Sequence, residues 1–200
     1  MKKIKILTSL LALVLILGGC SSEDHATPTE VCSEFLNAYH DRNNELIAKY
    51  SNWENYDAGA LELKEEDYMD GISHDLQKKV YDMMLDFSHK EGSETINEDQ
   101  AKVEVTLTMY DFNPVVEKGL DAATKKAEEL SKKESISDEE IQKQILSVLF
   151  ENMEKAEKNK TVTTTVNLVK KDKEWVVSDD NSDLNDALLS NTQSVQSITK

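Results

Sequence analysis

The chain has 200 residues, with 39 acidic against 23 basic side chains and a formal net charge of −16. That balance argues against nucleic acid as a partner and against flat binding to an anionic lipid surface, since like charges repel. Cys20 and Cys32 are the only two cysteines, so no disulfide framework is available and a hydrophobic core must hold the fold.

Residues 1–19 read as a signal peptide. Lys2, Lys3 and Lys5 give a positive start, Ile6 to Leu17 is an apolar run interrupted by Thr8 and Ser9, and small residues follow at Gly18 and Gly19. That order is the one a secretory signal requires. The apolar run falls short of the roughly 20 residues a membrane span needs. Leu17-Gly18-Gly19-Cys20 looks like a lipobox, in which the Cys20 thiol receives diacylglycerol and becomes residue 1 of the mature chain. Residues 20–27 then form a polar leash. Cleavage removes three lysines, so the mature chain is more acidic still. Several acyl chains on one cysteine give a stable anchor, at ~0.8 kcal/mol per buried methylene.

Thr27-Pro28-Thr29-Glu30 is a helix start, with Thr27 as cap, Pro28 at the first helical position and Glu30 closing a capping box. Val31, Phe35, Leu36 and Tyr39 form its apolar face, and Cys32 falls at core spacing. A short helix is expected over Glu45 to Tyr50. Residues 51–66 form a loop whose Trp53 and Tyr56 pack down on the domain. A helix is predicted over Asp67 to Tyr81 and a strand over Met84 to Ser93. Asn97 to Gln100 is a turn.

The clearest strand is Lys102 to Tyr110. Val103, Val105, Leu107 and Met109 alternate with Glu104, Thr106 and Thr108, the pattern of a half-buried antiparallel strand. Asn113-Pro114 opens a helix through Leu130, and Ser137 to Glu140 caps another bearing Ile141, Ile145, Leu149 and Met153. These two helices are expected to form an antiparallel hairpin. Thr161 to Val169 alternates again, Lys170 to Lys173 turns, and Glu174 to Val177 returns. Ser182 is the expected cap of a last helix with Leu184, Ala187 and Leu188. Residues 191–200 are polar and read as a flexible tail.

The fold class is therefore α+β: N-terminal helices packed on a curved antiparallel sheet, with a helical hairpin inserted between two β-hairpins. The lipobox, the helix Val31 to Tyr39, the strand Ala101 to Thr108 and the closing Lys173-Glu174-Trp175-Val176-Val177 together resemble small Gram-positive lipoproteins. The resemblance covers about residues 28–190. It implies a cone-shaped domain similar to nuclear transport factor two and cystatin, with a concave sheet that can form a pocket. The long helical pair departs from the shortest members of that fold and leaves the sheet order open. Fold alone does not give function.

The search for chemistry is short. His25, His40, His74 and His89 show no metal-ligand spacing, and no cysteine cluster exists. His40-Asp41 is a polar pair at a helix end. Asp179, Asp180, Asp183 and Asp186 fit capping and solvation better than a calcium loop. No Gly-x-Ser-x-Gly elbow, Walker loop or dinucleotide fingerprint is present. Asp86 and Asp111 are the candidate proton shuttles, and either needs burial to raise its pKa; Asp111 reads better as a strand end that caps the next helix. Phe35, Tyr39, Phe87, Met109 and Trp175 are candidate walls of a ligand pocket, or else plain core.

The sequence thus points to a membrane-anchored, extracytoplasmic binding domain with no cofactor, no metal and no catalysis. The expected partners are the membrane through Cys20, and an envelope protein or a small apolar ligand. The alternatives are a small pocket enzyme with a buried acid and a solute-binding lipoprotein.

Overall fold

In the computed structural model, the residues described are 25–54, 56–57, 62–133 and 135–190. The signal segment, Cys20 and the tail from residue 191 lie outside them.

Helix α1 (Pro28–His40) begins where the sequence marks it. The Thr27 hydroxyl accepts the Glu30 N–H, and the Glu30 carboxylate accepts the Thr27 N–H at 2.8 Å. This reciprocal pair satisfies two of the donors that a helix start leaves open. Val31, Cys32, Phe35 and Leu36 are buried on one face. Arg42, with φ at 56°, turns the chain into α2 (Asn44–Tyr50), which Asn43 caps at the Leu46 N–H. Trp53 and Tyr56 pack against the core, and the Trp53 Nε1–H donates to the Ser178 carbonyl at 2.8 Å.

The next two elements start later than the sequence pattern suggests. Residues Glu65–Asp67 form one 3-10 turn, and α3 spans His74–Leu85. Gly71 sits at φ +85°, a conformation that ends a right-handed helix, and Ser73 supplies the cap at the Leu76 N–H. Buried Gln77 holds the preceding loop in place of a helix. Its amide donates to the Met69 and Ile72 carbonyls and accepts the Met69 N–H. Met83 and Met84 are buried as helical residues, so strand β1 begins only at Phe87 and runs to Asn97. Burial on the helix face outweighed the local strand pattern there.

Strands β1, β2 (Gln100–Asp111), β3 (Glu157–Lys171) and β4 (Glu174–Val177) form one antiparallel sheet in the order β1-β2-β3-β4. The insert between β2 and β3 therefore leaves the strand order sequential. Glu98 turns the first hairpin at φ 56°, and Asp172 and Lys173 turn the second at 52° and 74°. Two successive positive φ values match the right-handed twist of the flanking strands. Ala101, Val103, Val105, Leu107 and Met109 are no more than 2% exposed, as the alternation requires. They pack under α1 with Val166, Leu168, Trp175 and the helix α6 (Ser182–Leu188).

Helix α4 (Asn113–Leu130) and helix α5 (Asp138–Met153) form the inserted hairpin. Ser137 caps α5 at the Glu140 N–H. Gly119 lets the two helices close in, because a Cβ there would lie 3.3 Å from Leu149. The hairpin packs against α3 in a second core that includes Val80, Met83, Phe112, Phe150 and Met153. The domain thus has two apolar cores, one between sheet and α1, one among α3, α4 and α5. The last helix departs from expectation in one detail. Its cap position is Asn181, not Ser182, and makes no side-chain cap bond. The Asn181 amide instead pairs with the backbone of Asn167 at 2.8 and 3.0 Å. No helix among the described residues is long and apolar enough to cross a membrane.

Candidate functional site

Three element ends meet where the two cores join. Helix α1 ends at His40 because Asp41 takes the cap position and closes on the Asn37 and Tyr39 carbonyls. Asp86 is the single extended residue between α3 and β1. Lys158 is the second residue of β3, opposite Tyr110. Their side chains converge. His40 Nδ1 lies 2.8 Å from Asp41 Oδ1 and Nε2 lies 3.0 Å from Asp86 Oδ1. Lys158 Nζ donates to both Asp86 oxygens at 2.9 Å.

A second tier of ion pairs extends along α3. Arg42 meets Asp82 at 3.2 Å, Lys78 bonds the other Asp82 oxygen, and Lys79 meets Glu154 at 3.1 Å. Grooves flank this row. One of about 700 Å³ is lined by Asp75, Lys78, Lys79, Asp82, Asp86 and Glu154 over a floor of Met83, Tyr110 and Ala156. Another of about 570 Å³ is lined by His40, Asp41, Arg42, Glu62, Asp82, Leu85 and Asp86. Asp82 and Asp86 face both.

The electrostatics follow from this geometry. Partial burial opposes the charge on Asp86, but the hydrogen bonds and charges of Lys158 and His40 outweigh it and hold the carboxyl below its ordinary value. Partial burial likewise opposes the His40 imidazolium, and the bonds and charges of Asp41 and Asp86 outweigh it and hold the ring above its ordinary value. Asp86 is therefore ionised at neutral pH and has no proton to give there. Neither groove's lining includes a serine, threonine or cysteine. The arrangement is suited to recognising charge: its outer pairs are half-exposed, contribute little individually, and can exchange partners with an incoming charged group.

The residues singled out from sequence fall in several places. Phe35, Phe87, Met109 and Trp175 are buried together in the main core, with Tyr39 half-buried against it. Phe35 stacks edge-on to Trp53 at 5.0 Å, and Tyr39 lies 6.3 Å from Phe87. Asp111 accepts the Asn113 N–H at 3.1 Å and so serves the start of α4. Asp86 is in the ionic cluster. Cys32 is fully buried, and burial pushes its thiol up to about 12. Cys20 lies outside the described residues. Lys158, Lys79 and Asp82 were not legible as site residues. Among the described residues, no group of three or more histidine, cysteine or carboxylate side chains is placed to hold a metal ion.

No family model matches the chain, and no curated protein matches it. Among solved structures, it is similar to ycdA of Bacillus subtilis, described as a candidate lipoprotein. Identity is 24% over 57% of this chain, with a TM-score of 0.41. The chain spans 36% of the length of that structure.

Proposed function

We propose that the chain is a bacterial lipoprotein, held by lipid on Cys20 at the extracytoplasmic face of the cell membrane, whose domain binds a partner and performs no chemistry. The observation that carries this reading is the sequence from Lys2 to Cys20: positive start, apolar run, small residues and cysteine, in that order. The ionised state of Asp86 and the engagement of Asp111 with the Asn113 N–H weigh against the reading of a small pocket enzyme. The close packing of Phe35, Phe87 and Met109 weighs against a small apolar ligand among those side chains. The row of exchangeable ion pairs along α3 favours an envelope protein with a charged surface.

The anchor has a direct test. Intact mass of the chain extracted from membranes should begin at a lipid-modified Cys20, and Cys20→Ala should release the domain from the membrane fraction. Retention of Cys20→Ala with the same detergent dependence would sink the reading. A photo-crosslinker at Lys79, which is more than half exposed, should capture a protein that the same probe at exposed Thr163, in the middle of β3, does not.

A further inference from the structure

We infer that the end of the domain carrying the two β-turns, with Ile96 at its edge, rests on the phospholipid surface, so that the Asp86 groove faces away from the membrane. This rests on the lipid-anchor reading. Three observations fix the geometry.

First, the chain enters the domain at that end. Thr29 donates from its N–H and hydroxyl to Glu94 Oε2 at 2.9 and 2.6 Å, which pins the start of α1 to the last third of β1. From there α1 runs toward Phe87, where the His40 ring lies 5.5 Å from the phenyl ring. The Asn97–Gln100 turn and the Asp172–Lys173 turn lie beside that start, joined by the Lys170 N–H to the Asp99 carbonyl at 2.9 Å. The Asp86 cluster lies at the other end, where Phe87 pairs with Met109 and Asp111 pairs with Glu157.

Second, the leash is too short for the opposite orientation. Seven residues separate Cys20 from Pro28, and the eight steps between them reach at most about 29 Å. Strand β2, at 12 residues, is about 37 Å long. A tether that cannot run the length of the sheet cannot place the far end on the bilayer while its own end points outward.

Third, the near end presents an exposed apolar side chain and several lysines. Ile96 is 52% exposed, the most exposed large apolar side chain among the described residues, and lies on the same sheet face as α1. Lys102 on β2 and Lys170, Lys171 and Lys173 at the β3–β4 turn lie at the same end of the sheet, with Lys170 also held 4.9 Å from the Trp175 ring centre. Glu98, Asp99, Asp172 and Glu174 share this end, and Asp180 lies beside Thr95, Asn97 and Lys102. Glu94 and Glu30, which accept from Thr29 and Thr27, are two further carboxylates nearby. The lysines are the groups that carry the contact, because their long side chains can extend past the carboxylates to headgroup phosphates.

The test uses the lipid-modified full chain in vesicles of phosphatidylcholine with phosphatidylglycerol, containing spin-labelled phosphatidylcholine as quencher. A fluorophore is attached through Ile96→Cys in one sample and Lys79→Cys in another; native Cys32 stays unlabelled because it is fully buried. The Ile96 position should lose emission to the quencher and the Lys79 position should keep it. Lys170→Glu with Lys171→Glu and Lys173→Glu should restore emission at Ile96. Equal quenching at both positions, or greater quenching at Lys79, would overturn the orientation. Intact mass of the same samples separates the two ideas. Absence of lipid refutes the anchor and this inference with it, whereas a lipid-modified chain with an unquenched Ile96 label refutes only the docking.

Discussion

Asp86→Asn is the substitution that probes the junction of the two cores most directly. It keeps the size of the side chain and removes the charge that His40 and Lys158 share at 2.9–3.0 Å. Exposed ion pairs contribute ~0–1 kcal/mol, and hydrogen bonds to charged groups about 1.5–3 kcal/mol. The Asp86 side chain is 32% exposed and Lys158 29%, so the cluster falls between these cases, at about 1–2 kcal/mol after solvent screening. For a chain of this size that is a fall in Tm of roughly 2–8 °C. The pH dependence has a defined sign. Asp86 is held below its ordinary value, so its contribution is present above that value and fades as pH falls through the depressed one. His40 is held above its ordinary value, so its contribution is present below that value and fades as pH rises through the elevated one. The penalty of Asp86→Asn should therefore be largest at about pH 5.5, between the ordinary Asp and His values, and should decline both on going up to about pH 8.5 and on going down to about pH 2. Urea unfolding of residues 21–200 at the three pH values measures it. A double-mutant cycle with Lys158→Met isolates the Lys158 share, expected near ~1 kcal/mol. A coupling energy under about 0.3 kcal/mol, or a penalty that persists unchanged in acid, would refute the electrostatic account.

Two further outcomes follow from the packing. Cys32 is fully buried and its thiol is pushed up to about 12, so the native domain should resist thiol reagents at neutral pH and become reactive only as urea unfolds it; native-state reaction at the unfolded rate would contradict the packing of α1. Gly71→Ala should destabilise by more than about 1 kcal/mol, because φ is +85° and a Cβ would sit 2.6 Å from that of Lys143. A thermal melt unchanged by this substitution would show that the loop before α3 relaxes freely.

Much of this architecture was legible because each signal had a local cause. The Thr27 to Glu30 box, the alternation over Val103 to Met109 and the capping at Ser137 all became the elements they specify, since cap and period are fixed within a few residues. The errors came where distant groups decided the outcome. Residues 67–73 carry a plausible helical pattern, yet Gln77 satisfies their backbone from the next helix and Gly71 breaks the turn. Met83 and Met84 read equally well as strand. They are helical because α5 and Phe112 cover them. The candidate site divides in the same way. Asp86 was visible as an acid between Leu85 and Phe87, but its role depends on His40, 46 positions earlier, and Lys158, 72 positions later. No local period encodes a contact of that span.

The ionic cluster sits where the two cores join. Core one is closed by α1 on the sheet, core two by α4 and α5 on α3, and Asp86 is the extended residue through which the chain passes from the second to the first. Its partners come from α1 and from the start of β3, where the helical hairpin returns to the sheet. Ion pairs of this kind are individually weak and screened by water, whereas the cores on either side are closely packed and resist deformation. A charged partner of the kind proposed above, seated in the grooves, would compete for Asp82 and Asp86 at the junction of the two cores.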